Sequence, residues 1–567
     1  MSLLWRVALG KEPAQQVIRD AVLFNPFTRE FLEHQAVWIA HGRVAYSGPD
    51  VEPPRNHATE VIQADGMVLL PGLIESHTHI VNRCSVEEFV RHSLPGGVTT
   101  VVTETIELAS VVGMKGISVL VEALRDQPLR FFYTVPALCG LTEVEEIRAP
   151  VPEDMVSLLE DPMCLGLGEI YWGNLLWEGP QGQRVRRLAE LGLERGKRVQ
   201  GHTAGASGLK LQAYTVWGIS SCHEPITAQE ALERLRLGYW VMIREGGIRK
   251  ELEGIRSLFH EVLDFRRLVL CTDSVDPEGF LSEGSLDGSV RKALAMGLDP
   301  GLIYQMVTLN PAEHLGLENQ LGSLAPGRWA DWVLIPSPRD YRPLMVAVGG
   351  KKVYGEGRLF VEPRTVDFPQ AFYETVNPAP GPMLLPQAQG RVRVMELVSR
   401  LVTRELILDL DAPGAWEDLN WVVAMDRLAQ GACFVGLLKG FGLKKGACGS
   451  TMCWDTADLI TVGCDQVSME TVVARLREMG GGAVYAMGRE VVAEYPAPVC
   501  GIISQEPMAR VRDRIKGIQE AMARQGVPWE KSLLTIDTLA TAAIPHLRIT
   551  HRGYVRLKDR ALLGLKP

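Results

Sequence analysis

The sequence predicts an α/β protein whose long middle section closes into a (β/α)8 barrel. Residues 67–321 hold eight short apolar runs: MVLLPGLI, VTTVVT, RFFYTVPAL, CLGLGEIY, RVQGHT, ISSCHE, YWVMIREG and LVLCTD. Amphipathic segments separate them, the alternation expected of βα units. Eight such units in about 250 residues match a closed barrel in count and length, although another division gives seven or nine. Two strand-rich pieces, 1–66 and 322–375, flank the middle and share one texture. They predict a single small β domain assembled from both.

Taken in order, QVIRDAVLFNP, AVWIAHGRVAYSG and EVIQADGMVLLPG are apolar or alternating runs bounded by Gly, Pro and Asn, the signature of short strands. GSLAPGRWADWVLI and LMVAVGGKKVYGEG repeat that texture beyond residue 322. Inside the middle section, SVEEFVRHSL, RVRRLAELGLERG and ITAQEALERLRLG read as helices. The last opens on Thr227 with Glu230 three places on, a capping box. Residues 340–390 are rich in Pro and Gly, and VNPAPGPMLLPQAQG reads as a linker. Residues 385–567 form a third region of strands and helices, in which VSMETVVARLREMGGG predicts a helix stopped at Gly480–Gly482.

A chain of 567 residues accommodates two or three domains. Its 46% apolar and 22% charged content is that of a soluble globular enzyme. A net charge of -9 and the lack of any polybasic cluster argue against nucleic acid or an anionic membrane surface as partner. No apolar stretch reaches the ~18 residues of a membrane span, and MSLLWRVALGKEPAQQ shows no signal-peptide pattern. Ten cysteines without a paired framework or a CxxC spacing read as reduced thiols of a cytoplasmic protein, most of them small core residues. A homodimer or higher homo-oligomer is the default assembly.

The chemistry begins at PGLIESHTHI. His77 and His79 are two apart at a strand end, so the period of two places both imidazoles on one side. Such a pair suits a divalent transition metal, although an isolated HxH is more often a packing or surface feature. Four further ligand-type residues close later strands: Glu169, His202, His223 and Asp273. In a parallel barrel these ends meet at one rim. Any one alone reads as a rim polar residue; six in succession read as a metal site. Six ligands suffice for two divalent ions, with Glu169 as the natural bridge. A water between two such ions loses a proton near neutral pH. Asp273 is then placed to accept that proton and pass it to a leaving group. His223 either binds the second ion or polarises the substrate. Arg244 and Glu245 end strand seven and either contact substrate or form a rim ion pair. Glu224 beside His223 reads as a partner orienting that ring. Trp172 and Trp177 either stack on a planar ring or pack loops, and GFGLKK belongs to turns.

Together these residues resemble the amidohydrolase superfamily and, within it, the adenine deaminase family. The likeness runs through PGLIESHTHI, GVTTVV, GLGE, GHTAG, HEPITAQEALERLRLG, IREG, CTD, TLNPAEHLGL and GSLAPGRWADWVLI. It continues through GLLKGFGLKKGACGS, REMGGGAVY and IPHLRITHRGY. It implies a metal-dependent hydrolase barrel with a composite β-sandwich and an extra carboxyl-terminal α/β domain. It also implies a binuclear manganese, iron or zinc site bridged by Glu169, and hydrolysis of adenine to hypoxanthine and ammonia. Several motifs depart from the family pattern: Glu104-Thr105-Ile106-Glu107 stands for Asp-Pro-His-Glu. Asp273-Ser274 stands for two aspartates, Ser285 for a histidine, and Trp454-Asp455-Thr456-Ala457-Asp458 for His-Asp-Ser-His-Asn. The changed residues are of the kind that read a ring, so a related heterocycle is as open as adenine. A ring-opening cyclic amidase and a non-catalytic metal-binding homologue are the two alternatives. The same ligands serve a cyclic amidase, and the lost histidines motivate the homologue.

Overall fold

The computed structural model describes the chain except residues 1–2, 139, 143–145, 147–148, 262–263, 379–382, 384, 429–430, 453 and 545. Part of the expected linker VNPAPGPMLLPQAQG, together with Cys139 and Cys453, lies outside the described residues.

Eight strands run parallel around the barrel: Leu73–Thr78, Val98–Thr103, Arg130–Val135, Cys164–Tyr171, Arg198–His202, Ser221–Cys222, Trp240–Arg244 and Leu268–Cys271. The eighth returns to the first, where Asp273 N donates to His77 O at 3.1 Å and Thr272 N to Glu75 Oε1 at 3.2 Å. The strands carry Val, Ile, Leu and Thr and are buried on both faces, as a helix-covered parallel sheet requires. The predicted helices form at Val86–Ser93, Pro180–Glu194 and Ala228–Arg236, and the capping box of Thr227 and Glu230 is present.

One reading is corrected. MVLLPGLI is not a single barrel strand. Val68–Pro71 pairs with Trp332–Ile335 and with Val22 and Leu23, and only Leu73–Thr78 enters the barrel. The switch occurs at Gly72, where a Cβ would lie 2.1 Å from Thr99 Oγ1, so only glycine passes there. A continuous apolar run carries no mark of such a change of sheet.

Strands from both flanks join in one nine-stranded sheet, with Val68–Pro71 bonded to Gln16–Asn25 on one side and Trp332–Ile335 on the other. Tight hairpins turn at His41-Gly42 and Gly349-Gly350, all four at positive φ. The last third holds an eight-stranded, largely antiparallel sheet with helices Gln466–Met479 and Met508–Arg524. The first of these stops at Gly480, in the left-handed conformation.

This last region is fastened to the barrel beside the expected site. Ile503 and Ser504 pair with Arg83 and Cys84, just past His79. Arg83 donates to buried Asp537 at 2.5 Å, and Tyr495 Oη donates to Arg83 O at 2.5 Å. The loop leaving the first barrel strand is thus held by the carboxyl-terminal region. Among the described residues no helix is long and apolar enough to cross a membrane. Cys84, Cys164, Cys222, Cys271, Cys448 and Cys500 are free and buried, as small core residues would be.

Candidate metal centre

The barrel rim gathers the six expected residues into one buried basin. Glu169 Oε1 lies at its middle, 3.1 Å from His77 Nε2, 3.4 Å from His79 Nε2 and 3.3 Å from His223 Nε2. Asp273 Oδ1 lies 3.4 Å from His77 Nε2 and 3.5 Å from His79 Nε2. On the far side, Glu224 Oε1 is 2.8 Å from His223 Nε2 and 3.9 Å from His202 Nε2. Two metal-sized groupings result: His77, Glu169, His223 and Asp273, and then His202, His223 and Glu224.

The backbone at Asp273 is unusual. Asp273 and Ser274 take φ of 51° and 85°, a region that disfavours residues with a Cβ. Asp273 N donating to His77 O and Ser274 N donating to Thr78 Oγ1 hold the turn, which aims the carboxylate inward. Arg244 fixes that carboxylate from behind, donating to Asp273 Oδ2 at 3.1 Å while Nε and Nη2 grip Glu251 at 3.0 and 2.7 Å.

The electrostatics follow from this crowding. Burial opposes charge on His77 and His79. The carboxylates of Asp273, Glu104 and Glu169 around the first, and of Glu107, Asp273 and Glu169 around the second, reverse that and raise both pKa values well above the ordinary range. Burial likewise opposes charge on His223, but Glu224 and Glu169 push it up to about 9. Burial acts against the charges of Glu169 and Asp273 too. Contact with His223 and the two strand-one imidazoles nevertheless holds both well below the usual carboxylate range. His202, with weaker partners, is lowered by burial.

The donor set fits divalent cations. His77 Nε2 and Glu224 Oε1 are buried and make no hydrogen bond among the described residues, despite neighbours at 3.1 and 2.8 Å. Imidazole and carboxylate lone pairs gathered at such distances are satisfied by a shared cation.

Two residues of this centre were read in the sequence only as departures from a family pattern. Glu107 Oε1 lies 2.5 Å from His79 Nδ1, and Glu104 Oε1 lies 3.4 Å from His77 Nδ1. Each backs one imidazole on the nitrogen that faces away from the basin, which fixes the tautomer and ring orientation. Their place directly after VTTVVT, at the same rim, is the signal that would have found them.

The other expected contacts divide. Arg244 and Glu224 line the cavity. Glu224, however, approaches the inward Nε2 of His223 rather than Nδ1, so it belongs to the basin itself and does not orient the ring from behind. Glu245 does not reach the cavity; it pairs with Lys292 at 2.8 Å and caps Leu252 N. Trp172 packs a loop, donating to Ala204 O at 2.7 Å with Lys210 over its ring.

The cavity above the basin measures about 230 Å3. Its walls include Ile106, Tyr171, Ile226 and Ile248 from the barrel and Leu401, Val402, Trp454, Thr541 and Ile544 from the carboxyl-terminal region. Trp454 stands edge-on to His79 with ring centroids 5.0 Å apart.

Barrel, basin and added domain together define a class of protein, and comparison with known proteins agrees. The amidohydrolase family pattern matches residues 68–353, and that of the adenine deaminase C-terminal domain matches residues 400–561. The chain belongs to the amidohydrolase family, in the adenine deaminase branch that carries this second domain. An adenine deaminase of Moorella thermoacetica is 34% identical over 97% of this chain and 95% of its own length. One from Archaeoglobus fulgidus is 33% identical over 99% of this chain and 97% of its own, and one from Cenarchaeum symbiosum is 30% identical over 99% and 94%. Among solved structures, a beta-aspartyl dipeptidase from Fervidobacterium islandicum AW-1 overlays with a TM-score of 0.45 at 20% identity, over 62% of this chain and 99% of that one.

Proposed function

We propose that the chain is a hydrolytic deaminase of adenine or a related aminopurine, working with two divalent ions of manganese, iron or zinc. The observation that carries this is the Asp273 carboxylate, with Oδ1 turned to the imidazoles of the basin and Oδ2 held by Arg244. His77, His79, Glu169 and Asp273 would hold one ion, and Glu169, His202, His223 and Glu224 the other. Such a pair supplies a water that ionises near neutral pH.

The residues do the rest. Asp273 Oδ1 accepts the proton that leaves the water as its oxygen bonds to the ring carbon. The same carboxylate returns that proton to the exocyclic nitrogen, so the carbon–nitrogen bond breaks and ammonia departs. The remaining hydroxyl proton passes to the adjacent ring nitrogen, which leaves the carbonyl product. Arg244 keeps the carboxylate aimed and prevents its rotation. Glu104 and Glu107 hold the two imidazoles in register. Ile106, Trp454 and Ile248 exclude bulk water from the ring. The same reading takes the substrate as a small heterocycle, the enzyme as cytoplasmic and homo-oligomeric, and nucleic acid as no partner. The net charge of -9 supports that last point.

The test is ammonia release from a panel of aminopurines, aminopterins and aminopyrimidines by protein loaded separately with manganese, iron and zinc. Release from an aminopurine is expected. Ultraviolet change without ammonia points to ring opening instead, and no product with any metal ends the deaminase reading.

A further inference from the structure

Arg249 faces this cavity with no carboxylate in contact with it among the described residues. The loop after strand seven, Gly246-Gly247-Ile248-Arg249, is wound tightly over the exit of strand eight. Gly246 N donates to Arg249 O at 2.9 Å and Gly247 N to Ser274 O at 2.8 Å. A Cβ on Gly246 would meet Thr272 O at 1.9 Å, so the path of this loop is set by its backbone. It places Ile248 and Arg249 on the cavity wall with Arg244 and Asp273.

Arg249 is half-buried, and its guanidinium makes no hydrogen bond, ion pair or ring contact among the described residues. The acids around it are committed elsewhere. Glu251 and Asp273 are bound by Arg244. Glu224 accepts from Thr203 N and lies against His223. Glu230 accepts from Ile226 N at 2.8 Å as part of the helix cap. Glu169 sits among three imidazoles. A second guanidinium approaches from the other region: Arg400 donates Nη2 to Ile248 O at 3.0 Å, has no carboxylate partner among the described residues, and precedes the cavity-lining Leu401 and Val402. Burial and then the charges of Arg244 and Arg400 outweigh the opposing pull of Glu251 and Asp273 and hold the Arg249 pKa below its usual value. Like charges gathered at a cavity wall are relieved by an anion, and the guanidinium fork suits an oxyanion above other ligands.

We propose that Arg249, with the Arg400 guanidinium held on the neighbouring Ile248 carbonyl, forms an anion subsite at the edge of this cavity, so that the substrate is an aminated heterocycle carrying a carboxylate or phosphate group. This rests on the deaminase reading for the reaction but not for the binding. A neutral base leaves the Arg249 guanidinium facing the cavity without an anion in contact with it, whereas an anionic one meets that guanidinium directly and the charge of Arg400 from behind Ile248.

The test is calorimetric binding of four probes to the metal-loaded full chain: adenine, 9-(carboxymethyl)adenine, adenosine 5′-monophosphate and inorganic phosphate. At least one anionic purine is expected to bind about 30-fold more tightly than adenine. That preference should shrink several-fold between about 50 and 300 mM NaCl. Which anionic purine binds tells carboxylate from phosphate, and inorganic phosphate reports the subsite alone. In Arg249→Ala the preference should fall by about tenfold or more, with partial recovery in Arg249→Lys, since lysine keeps charge but loses the fork. Arg400→Ala provides a second variant if the first is unstable. Equal or weaker binding of both anionic purines relative to adenine overturns the proposal, as does an unchanged preference in both alanine variants. Failure of the deaminase reading shows separately, as absence of ammonia from every probe that binds.

Discussion

The two walls of the cavity are built on different principles. The barrel rim is a set of ionisable groups from successive strands, with His77, His79, His202, His223 and Asp273 buried around the nearly buried side chain of Glu169. The opposite wall, from the carboxyl-terminal region, is mainly apolar, with Leu401, Val402, Trp454 and Ile544 around Thr538 and Thr541. Charges that deep are tolerated only in a mutually satisfied group. The rim therefore accepts almost no substitution without loss of the whole basin. An apolar wall repacks at modest cost, so a chain can keep its chemistry while changing what it binds. The intact rim and altered wall of this protein fit that division.

The largest effects are expected at the rim. Glu169→Gln removes the central charge and should lower turnover by about a thousandfold or more, read as ammonia release at saturating metal. A small loss would show that the basin is structural. Chelation should abolish turnover and lower the melting temperature, since metal binding stabilises only the folded state. Recovery on readdition of metal checks this.

The pH dependence of metal uptake has a fixed sign. His223, raised to about 9 in the metal-free basin, must lose its proton to bind a cation. Below that pH the apparent affinity should fall about tenfold per unit of acidification for each such proton. A titration at several pH values measures it, and a flat profile would contradict the imidazole assignment. Behind the rim, Glu107→Gln should weaken metal affinity by about 10–100-fold by freeing the His79 ring, with an effect on KM well below that on metal affinity.

The apolar wall should give smaller and more selective changes. Trp454→Ala is expected to change the ratio of kcat/KM between two aminopurines by about tenfold, the scale of one lost aromatic contact. An equal loss on all substrates would place Trp454 with the rim instead. Beneath it, Asp455 is buried and accepts from Thr541 Oγ1 and Ala542 N at 2.9 Å each. Burial pushes its carboxyl up to about 6. The protonated form is thus favoured in the folded state. Its contribution is full below pH ~4 and lost as pH rises through ~6, on the order of 3 kcal/mol. Denaturant unfolding of Asp455→Asn should show less loss of stability across that window than the parent.

The legible parts of the site were those with a local signature. HTH at a strand end, GLGE, GHT, SCHE and CTD each ended an apolar run, and the closed parallel sheet brought those ends together. Glu104 and Glu107 carried the same positional signal, but a comparison with family motifs presented them as losses and hid their place behind His77 and His79. Glu245 was misleading for a physical reason: Arg244 turns into the barrel, and the next residue points outward to Lys292. MVLLPGLI concealed a change of sheet at Gly72, since hydrophobicity is indifferent to which sheet buries it. Arg249 had no signature at all, being one arginine among many in a Gly-rich loop.

The amino-acid sequence determined the barrel, the strands shared between its two flanks and the ligand types. Period, capping and turn chemistry are short-range properties written in consecutive residues. Tertiary structure alone decided which atoms face which: the Nε2 of His223 toward Glu224, the two oxygens of Asp273 toward different partners, and two arginines 151 positions apart meeting at Ile248. Those choices depend on how sheet and helix pack across the whole chain, because through-space distance sets electrostatic energy regardless of sequence separation.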